Sequence, residues 1–482
     1  DLKVVSDFRS YLAELEKCGL ITRFNDEVDW DLEAGAIMRY CDENQLPAQW
    51  FTRIKDSLPG SSLVGGLYAT YERIAVALGL PADTDYPDLV DYYGEALRQR
   101  IPPRIVDSGA CQENVLTGDD IDLFRFPIPR THENDGGPFG RFALTVNTGV
   151  CKDPDSDWVN WGTYRGQIQS KDSTGLALVS QNHGGKIWAK YNERKQVMEY
   201  ASFQGGDPLY FLVAASGVPF GDPEVDVVGG MRGRPVELVK CKTVDLYVPA
   251  DAEFVVEGTI TPGDLMEEGP FGEYPGYTVS ECLPRPVLRI SAITHRNDPI
   301  LTTTCLGIPH DDGIIWGLQL SGVIKKALQD KGLPVVKVAA PAESGWHSIV
   351  VSTRTPHGGI PQQIAYTVWT DRVGSFFPYV VVVDEDVDPA KLGEVYHAIC
   401  TKCEPQRDIH IQRNTSCSPL TPYVRKSAEK DDGYGGSNVL LDCTWPFDWS
   451  EEETPIREAF NTSYPEAVKQ QAMAQLRKAG LV

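Results

Sequence analysis

No stretch of the sequence approaches 18 consecutive apolar residues, so no membrane-crossing helix is expected. Basic residues are in short supply, with 45 Lys and Arg against 68 Asp and Glu and a net charge of −23. That sign disfavours phosphate backbones and anionic lipid surfaces, so neither nucleic acid nor a membrane is an expected partner. The 11 cysteines are odd in number and scattered along 482 residues, with none of the spacing of a disulfide framework. Free thiols and a cytoplasmic location are therefore expected, and the sequons at Asn414 and Asn461 carry no weight. The opening DLKVVSDFRSYL lacks a basic n-region and an apolar h-region, so no signal peptide is read there, although no Met precedes it. Nucleotide and hydrolase signatures are also missing. VVGGMRGRP has glycines without the GxGxxG pattern, and there is neither a Walker A motif nor a GxSxG elbow. No internal repeat or low-complexity tract is visible.

What is present suits a folded protein of two or three domains: 41% hydrophobic and 23% charged residues over 482 positions. The first hundred residues read as mixed and mostly helical. Asp7 is placed to cap a helix whose apolar face is Phe8, Leu12, Leu15 and Leu20. YERIAVALGL and DLVDYYGEALRQR continue the helical pattern. From about residue 101 Pro and Gly become frequent, and RFALTVNTGV, DLYVPADAEFVVEGTI and RPVLRISAITH read as strands between turns. Residues 105–310 therefore look like a barrel or sandwich rather than a doubly wound sheet. IIWGLQLSGVIKKALQDKGLP predicts a long helix stopped at Gly332 before Pro334. Beyond it, PVVKVAAP, HSIVVST and PYVVVVDEDVDP alternate with helical patterns, and PEAVKQQAMAQLRKAG predicts a final helix.

Chemistry concentrates in a few segments. EEGPFGEYPGY carries Glu268 and Glu273 five residues apart, with Gly269, Pro270 and Gly272 between them. An ideal strand would set them on opposite faces, but the glycines and proline allow convergence around a turn. Paired carboxylates suit acid–base work because repulsion and burial separate their pKa values. A solvated acidic loop is the plainer reading of the segment alone. NWGTYRG offers Asn160 and Arg165, the latter suited to a carboxylate or to Glu268. By themselves SQNHGG, with His183, reads as a turn, and Glu224 in GDPEVDVVGG is unremarked. Cys400 and Cys403 form a single CxxC near His397, His410 and Cys417; without a second CxxC, packed thiols are expected rather than zinc.

Taken together, DFRSYLAELEKCG, PIPRTHENDGGPF, NWGTYRG, QNH, VKCKTVDLYVPADAEFVVEG, EEGPFGEYPGY, VVVVDEDVDP and LLDCTWPF resemble the UbiD family of decarboxylases. The resemblance runs almost from end to end. It implies an α/β (α+β) fold: an N-terminal mixed segment over 1–104 and a split β-barrel, flavin-reductase-like cofactor domain over 105–312. A linker helix over 313–334 and a C-terminal α/β oligomerisation domain over 335–482 complete it. It implies prenylated FMN as cofactor, supplied by a flavin prenyltransferase, and a homo-oligomer, dimer or hexamer. Arg165, Glu268 and Glu273 match the family's catalytic set. Asn160, His183 and Glu224 match its ligands for a divalent ion, typically Mn²⁺, held against the flavin phosphate, with K⁺ near Trp161 and Ser216. Thr163, Tyr164, Arg165, Gln181, Ser216, Gly217 and Val218 fall where the cofactor would lie.

The implied reaction is reversible, non-oxidative decarboxylation of an aromatic, heteroaromatic or α,β-unsaturated carboxylic acid. It runs through a covalent substrate–cofactor adduct, with Glu273 supplying the proton that replaces CO₂. GEYPGY tilts the expectation toward an aromatic or heteroaromatic acid, and away from a polyprenylated benzoate. Two features depart from the family pattern: QNH stands where some members read QH, and Tyr379 stands where many carry a lysine. Arg425 and Lys426 are candidates to replace that lysine. A metal-dependent hydrolase using the Glu pair and a non-catalytic cofactor-binding or assembly protein are the alternatives.

Overall fold

A computed structural model describes residues 5–278, 282–371, 373–415, 418, 420–424 and 436–481. The chain starts with the helix Phe8–Lys17, capped as the sequence indicates: the Asp7 carboxylate accepts from Ser10 N at 2.8 Å. Phe8, Tyr11, Leu12 and Leu15 form its buried face, while Leu20 lies past the helix end, after Gly19 turns the chain at φ 69°. Strands Ile21–Phe24, Ala48–Phe51 and Ser62–Gly65 follow, and their sheet is completed from far along the chain by Ile300–Thr303. The N-terminal segment is thus tied directly into the central part of the protein.

The centre is a curled half-barrel. Its strands pair in the order Phe142–Leu144, Gly166–Ser170, Ser173–Gly175, Leu283–His295, Phe254–Glu268, Met198–Gln204, Thr148–Lys152 and Val159–Gly162; Asn114–Thr117 also pairs with Leu283–His295. RFALTVNTGV, read as one strand, is two, broken around Thr145 to Asn147. Phe254–Glu268 starts with five buried residues, shifts register between Ile260 and Leu265, runs along the surface, and re-enters the interior at Glu268. That bulged path delivers a carboxylate to the inside of the barrel from a strand whose preceding residues are solvated.

The long helix is Ile314–Asp330, ended by Gly332 at φ 73° just before Pro334. Its buried side packs on the helix Tyr86–Ala96, where the Tyr86 and Ser321 hydroxyls share a hydrogen bond at 2.7 Å. Gln319 donates to Leu212 O at 3.1 Å, joining the long helix to the short helix Leu209–Ala214. The C-terminal sheet has the order Val335–Ala339, Ser348–Thr353, Tyr379–Asp384, Gly436–Cys443, Ile409–Thr415. Val380 to Val383 are buried on both faces, as expected for a strand paired in parallel on each side. The final helix, Glu466–Lys478, buries no residue of its own. Among the described residues no helix is long and apolar enough to cross a membrane.

Candidate active site

One six-residue stretch carries both halves of the site. Asn160 lies in the strand Val159–Gly162, and Arg165 immediately precedes the strand Gly166–Ser170. The turn between them aims Asn160 at one cluster and Arg165 at another.

At the Arg165 end, Nε donates to Glu268 Oε1 at 2.7 Å and Nη2 to Glu268 Oε2 at 3.3 Å, while Nη1 donates to Glu273. The two carboxylates do converge, and neither is solvated: Glu268 is 1% exposed and Glu273 4%. The acidic-loop reading of EEGPFGEYPGY is overturned, because Gly269 (φ 97°) and Gly276 (φ 90°) fold the segment back into the protein. The guanidinium also stacks on Phe271, 4.8 Å from the ring centroid. Burial pushes the Glu273 carboxyl above its ordinary value, against the pull of Arg165 and with a further push from Glu268. Burial would lower the Arg165 guanidinium, but the facing Glu273 and Glu268 outweigh it and hold it above its usual range.

At the Asn160 end, Asn160 Nδ2 donates to Glu224 Oε1 at 3.0 Å and Trp161 N to Glu224 Oε2 at 2.9 Å. His183 Nδ1 lies 3.9 Å from Glu224 Oε1. His183 is not in a free turn: it opens the helix His183–Glu193, whose Asn182 cap accepts from Gly185 N at 2.7 Å. Both glycines are required there, since a Cβ on Gly185 would sit 1.9 Å from Val179 O and one on Gly184 2.6 Å from the Tyr164 ring. Tyr164 donates to Asn160 Oδ1 at 2.6 Å and accepts from Gly184 N at 2.8 Å, fixing the amide against the helix start. Burial raises the Glu224 carboxyl, opposed by His183 and the Trp161 amide.

Asn160, Trp161, Thr163, Tyr164, Gln181, His183, Ser216, Gly217 and Glu224 line one open cleft. Val218 is buried behind it and does not line it, and Arg165 faces the carboxylates instead. Trp161 packs its ring on Phe203 and Tyr210, so only its main chain can serve an ion; the Ser216 hydroxyl is engaged with Leu212 O and Tyr93. The donor set fits a hard divalent ion: a carboxylate, an amide and an imidazole around one point. Turning the Asn160 amide over would face its oxygen to Glu224 and leave its NH₂ to donate to Tyr164. Gly217 has no neighbour within 4 Å of a built Cβ, leaving backbone accessible beside the cleft.

The sequence reading missed three groups. Arg285 donates to Glu268 Oε2 at 3.4 Å, yet in RPVLRISAITH it looks like any strand residue. Gln167 accepts from Gly269 N at 3.0 Å, and Asp135 accepts from Gly272 N at 2.9 Å. Only the DGG turn in PIPRTHENDGGPF hinted at the last of these. Cys400 is exposed on the helix Leu392–Lys402, and Cys403 packs part-buried near Cys443. Among the described residues no three His, Cys, Asp or Glu side chains are grouped to hold a metal, and the cysteines are all free thiols. Cys417, Arg425 and Lys426 lie outside the described residues. Tyr379 starts its strand with a partly exposed ring.

Three domain models of one family match this chain: the Rift-related domain of 3-octaprenyl-4-hydroxybenzoate carboxy-lyase over 104–309, its C-terminal domain over 314–443 and its N-terminal domain over 12–93. The chain belongs to the UbiD family. Among its UbiD relatives, pyrrole-2-carboxylic acid decarboxylase of Pseudomonas aeruginosa is 31% identical over 480 residues, 96% of each chain. Ferulic acid decarboxylase 1 of Saccharomyces cerevisiae is 29% identical over 487 residues, again 96% of each. The UbiD-class enzyme HmfF of Pelotomaculum thermopropionicum, solved with FMN, superimposes with a TM-score of 0.84 at 28% identity, covering 94% of this chain and 97% of HmfF. Vanillic acid decarboxylase of Sedimentibacter hydroxybenzoicus in its open form gives 0.86 at 28% identity, covering 99% and 100%. The mixed α/β architecture with a half-barrel flavin domain and a C-terminal domain is that of the UbiD class, and its members are carboxy-lyases.

Proposed function

We propose that the protein decarboxylates an aromatic or heteroaromatic carboxylic acid, reversibly and without net oxidation, using prenylated FMN and a divalent ion. The observation that carries this reading is the buried set in which one arginine, Arg165, is held between Glu268 and Glu273. The similarity to decarboxylases of pyrrole-2-carboxylic and ferulic acids supports the substrate class. Asn160, His183 and Glu224 would hold Mn²⁺, with K⁺ beside the main chain at Trp161 and Ser216. Thr163, Tyr164, Gln181, Ser216 and Gly217 would border the flavin.

Bound prenylated FMN supplies the electron sink for the pair left on carbon when CO₂ departs. The chain's own residues handle binding and the proton. With Glu273 protonated, Arg165 and Arg285 against Glu268 leave one net positive charge, which attracts a substrate carboxylate. Glu273, whose hold on its proton burial strengthens, then donates to the carbon that lost CO₂. Its carboxylate is left facing Arg165 Nη1, a pre-set donor that stabilises the new charge without reorganisation. Run backward, the same carboxylate removes the proton before CO₂ adds.

Co-expression with a flavin prenyltransferase tests the reading. The expected product is protein carrying prenylated FMN by mass and absorbance, with stoichiometric Mn²⁺, releasing CO₂ from aromatic acids. Glu273→Gln should keep the flavin and lose turnover. Metal-dependent hydrolysis with no flavin bound would replace this reading with a hydrolase. Assembly into a homo-oligomer is part of the proposal, in keeping with the dimeric HmfF variant among the structural relatives.

A further inference from the structure

The loop between the two glutamates has little to hold it from within. Residues 269–272 are Gly-Pro-Phe-Gly, and backbone groups along them are satisfied by side chains or backbone from elsewhere, among them Gly269 O, which accepts from Cys282 Sγ at 3.2 Å. Gly269 N donates to Gln167 Oε1 at 3.0 Å, Pro270 O accepts from Gly136 N at 2.9 Å, and Gly272 N donates to Asp135 Oδ1 at 2.9 Å. Asp135 is the one charged group among these partners, and its side chain is fully buried.

Its other oxygen, Oδ2, faces His132: ring Nδ1 at 3.2 Å and backbone N at 3.3 Å, with Thr131 Oγ1 also donating at 3.2 Å. The far ring nitrogen, Nε2, lies 2.7 Å from Leu306 O and 3.5 Å from Cys305 Sγ. The imidazole face lies flat on Gly272, where a Cβ would come within 2.6 Å of His132 Cε1. Three segments meet here: the 131–136 turn, the glutamate loop, and the chain leaving the strand Ile300–Thr303.

We propose that His132 and Asp135 are a positioning pair for the proposed chemistry, a part-buried imidazole on a buried carboxylate that together clamp the Gly269–Gly272 loop and so set Glu273 against Arg165. Both ring nitrogens have acceptors, a carboxylate and a carbonyl, which is the pattern of the doubly protonated ring. Burial alone would lower the imidazolium pKa, but its hydrogen bonds to Asp135 and then Cys305 outweigh it and push it up to about 10. The ionisable groups around it are Asp135 on its own turn and Cys305 on the facing segment. Arg39 and Asp42 stand behind Cys305. The Cys305 thiol is itself pushed up by burial, against the pull of His132. The clamp's link to turnover rests on the reading of Glu273 as the acid; its link to loop geometry does not.

The test uses Asp135→Ala and Asp135→Asn in the full chain, first free of cofactor and then loaded. In cofactor-free protein, hydrogen exchange across residues 267–277 should speed up by about tenfold or more in Asp135→Ala, with the Gly272 amide most affected. Asp135→Asn keeps an acceptor for Gly272 N and should restore most of that protection. In loaded enzyme, Asp135→Ala should lose about ten- to a hundredfold in kcat with KM nearly unchanged, as a sub-ångström to 1 Å displacement of an acid does. Unchanged exchange in Asp135→Ala overturns the clamp, as does equal loss of folding, flavin and turnover in both variants. If Glu273→Gln keeps its turnover while Asp135→Ala loosens the loop, the clamp stands and the acid assignment falls.

Discussion

Arg285 donates to Glu268 Oε2 at 3.4 Å, giving that carboxylate a second guanidinium besides Arg165. Among the described residues Glu273 has its side-chain hydrogen bond from Arg165, and burial raises its carboxyl above the ordinary value. Two chemically identical side chains five residues apart are thus given different surroundings, the condition for one to act as acid while the other stays a counter-ion.

Removing the second guanidinium should make the pair more alike. Arg285→Gln is expected to lower kcat by about tenfold, the equivalent of ~1.4 kcal/mol for one lost charge-assisted hydrogen bond. Steady-state kinetics on the loaded enzyme measures it; an unchanged kcat would mean that Arg165 suffices.

The direction of the Glu273 shift sets the pH profile. A donor must be protonated, so kcat should fall as pH rises through the raised Glu273 pKa, above the usual carboxylate range. Stability follows the same sign. The folded state holds this proton more tightly than the unfolded one, so Glu273 costs stability as pH climbs from the ordinary carboxylate value through the raised one. Rates that keep rising with pH across that range would contradict the assignment.

Tyr164 holds Asn160 by a single hydroxyl. Tyr164→Phe keeps the ring and removes that contact, so Mn²⁺ affinity should drop by about tenfold while the fold is kept. Glu224→Gln, which removes the only charge among the three candidate ligands other than a protonatable His183, should weaken metal and flavin binding together. Metal analysis and flavin titration of both variants check the point.

Gly136 has no room for a side chain: a Cβ would lie 2.3 Å from Pro270 Cδ and 2.5 Å from Gly269 O. Gly136→Ala must push the glutamate loop away. Calorimetry should show a loss of ~1–3 kcal/mol, typical of overpacking, accompanied by a large fall in kcat.

Among the described residues the CxxC has no metal-binding group around it, so Cys400→Ser with Cys403→Ser should leave metal content and turnover at wild-type levels. A loss of bound Mn²⁺ in that double variant would send the search back to the C-terminal domain.

Local patterns in the sequence were enough to place the helix capped by Asp7, the long helix stopped at Gly332 and the all-valine strand 380–383. Each depends on near neighbours: a capping side chain, a glycine free to turn left-handed, or a run of β-branched residues suited to a buried strand. The family was legible for the same reason, since EEGPFGEYPGY and its companion segments are contiguous strings. The same contiguity misled where environment mattered. EEGPFGEYPGY taken alone reads as a solvated loop, and His183 reads as a turn residue, because no string records what lies across from it.

What only the tertiary structure decided is which distant side chains share a space. Arg285 joins Glu268 across 17 positions, and Asp135 reaches Gly272 across 137. Asn160 meets Glu224 across 64. Hydrogen bonds and charges act over a few ångströms of space, whatever the distance along the chain. The bulge that turns Glu268 inward and the sheet that brings residue 300 back to residue 62 therefore settle which carboxylate is buried, which is doubly paired, and which is free to hold a proton.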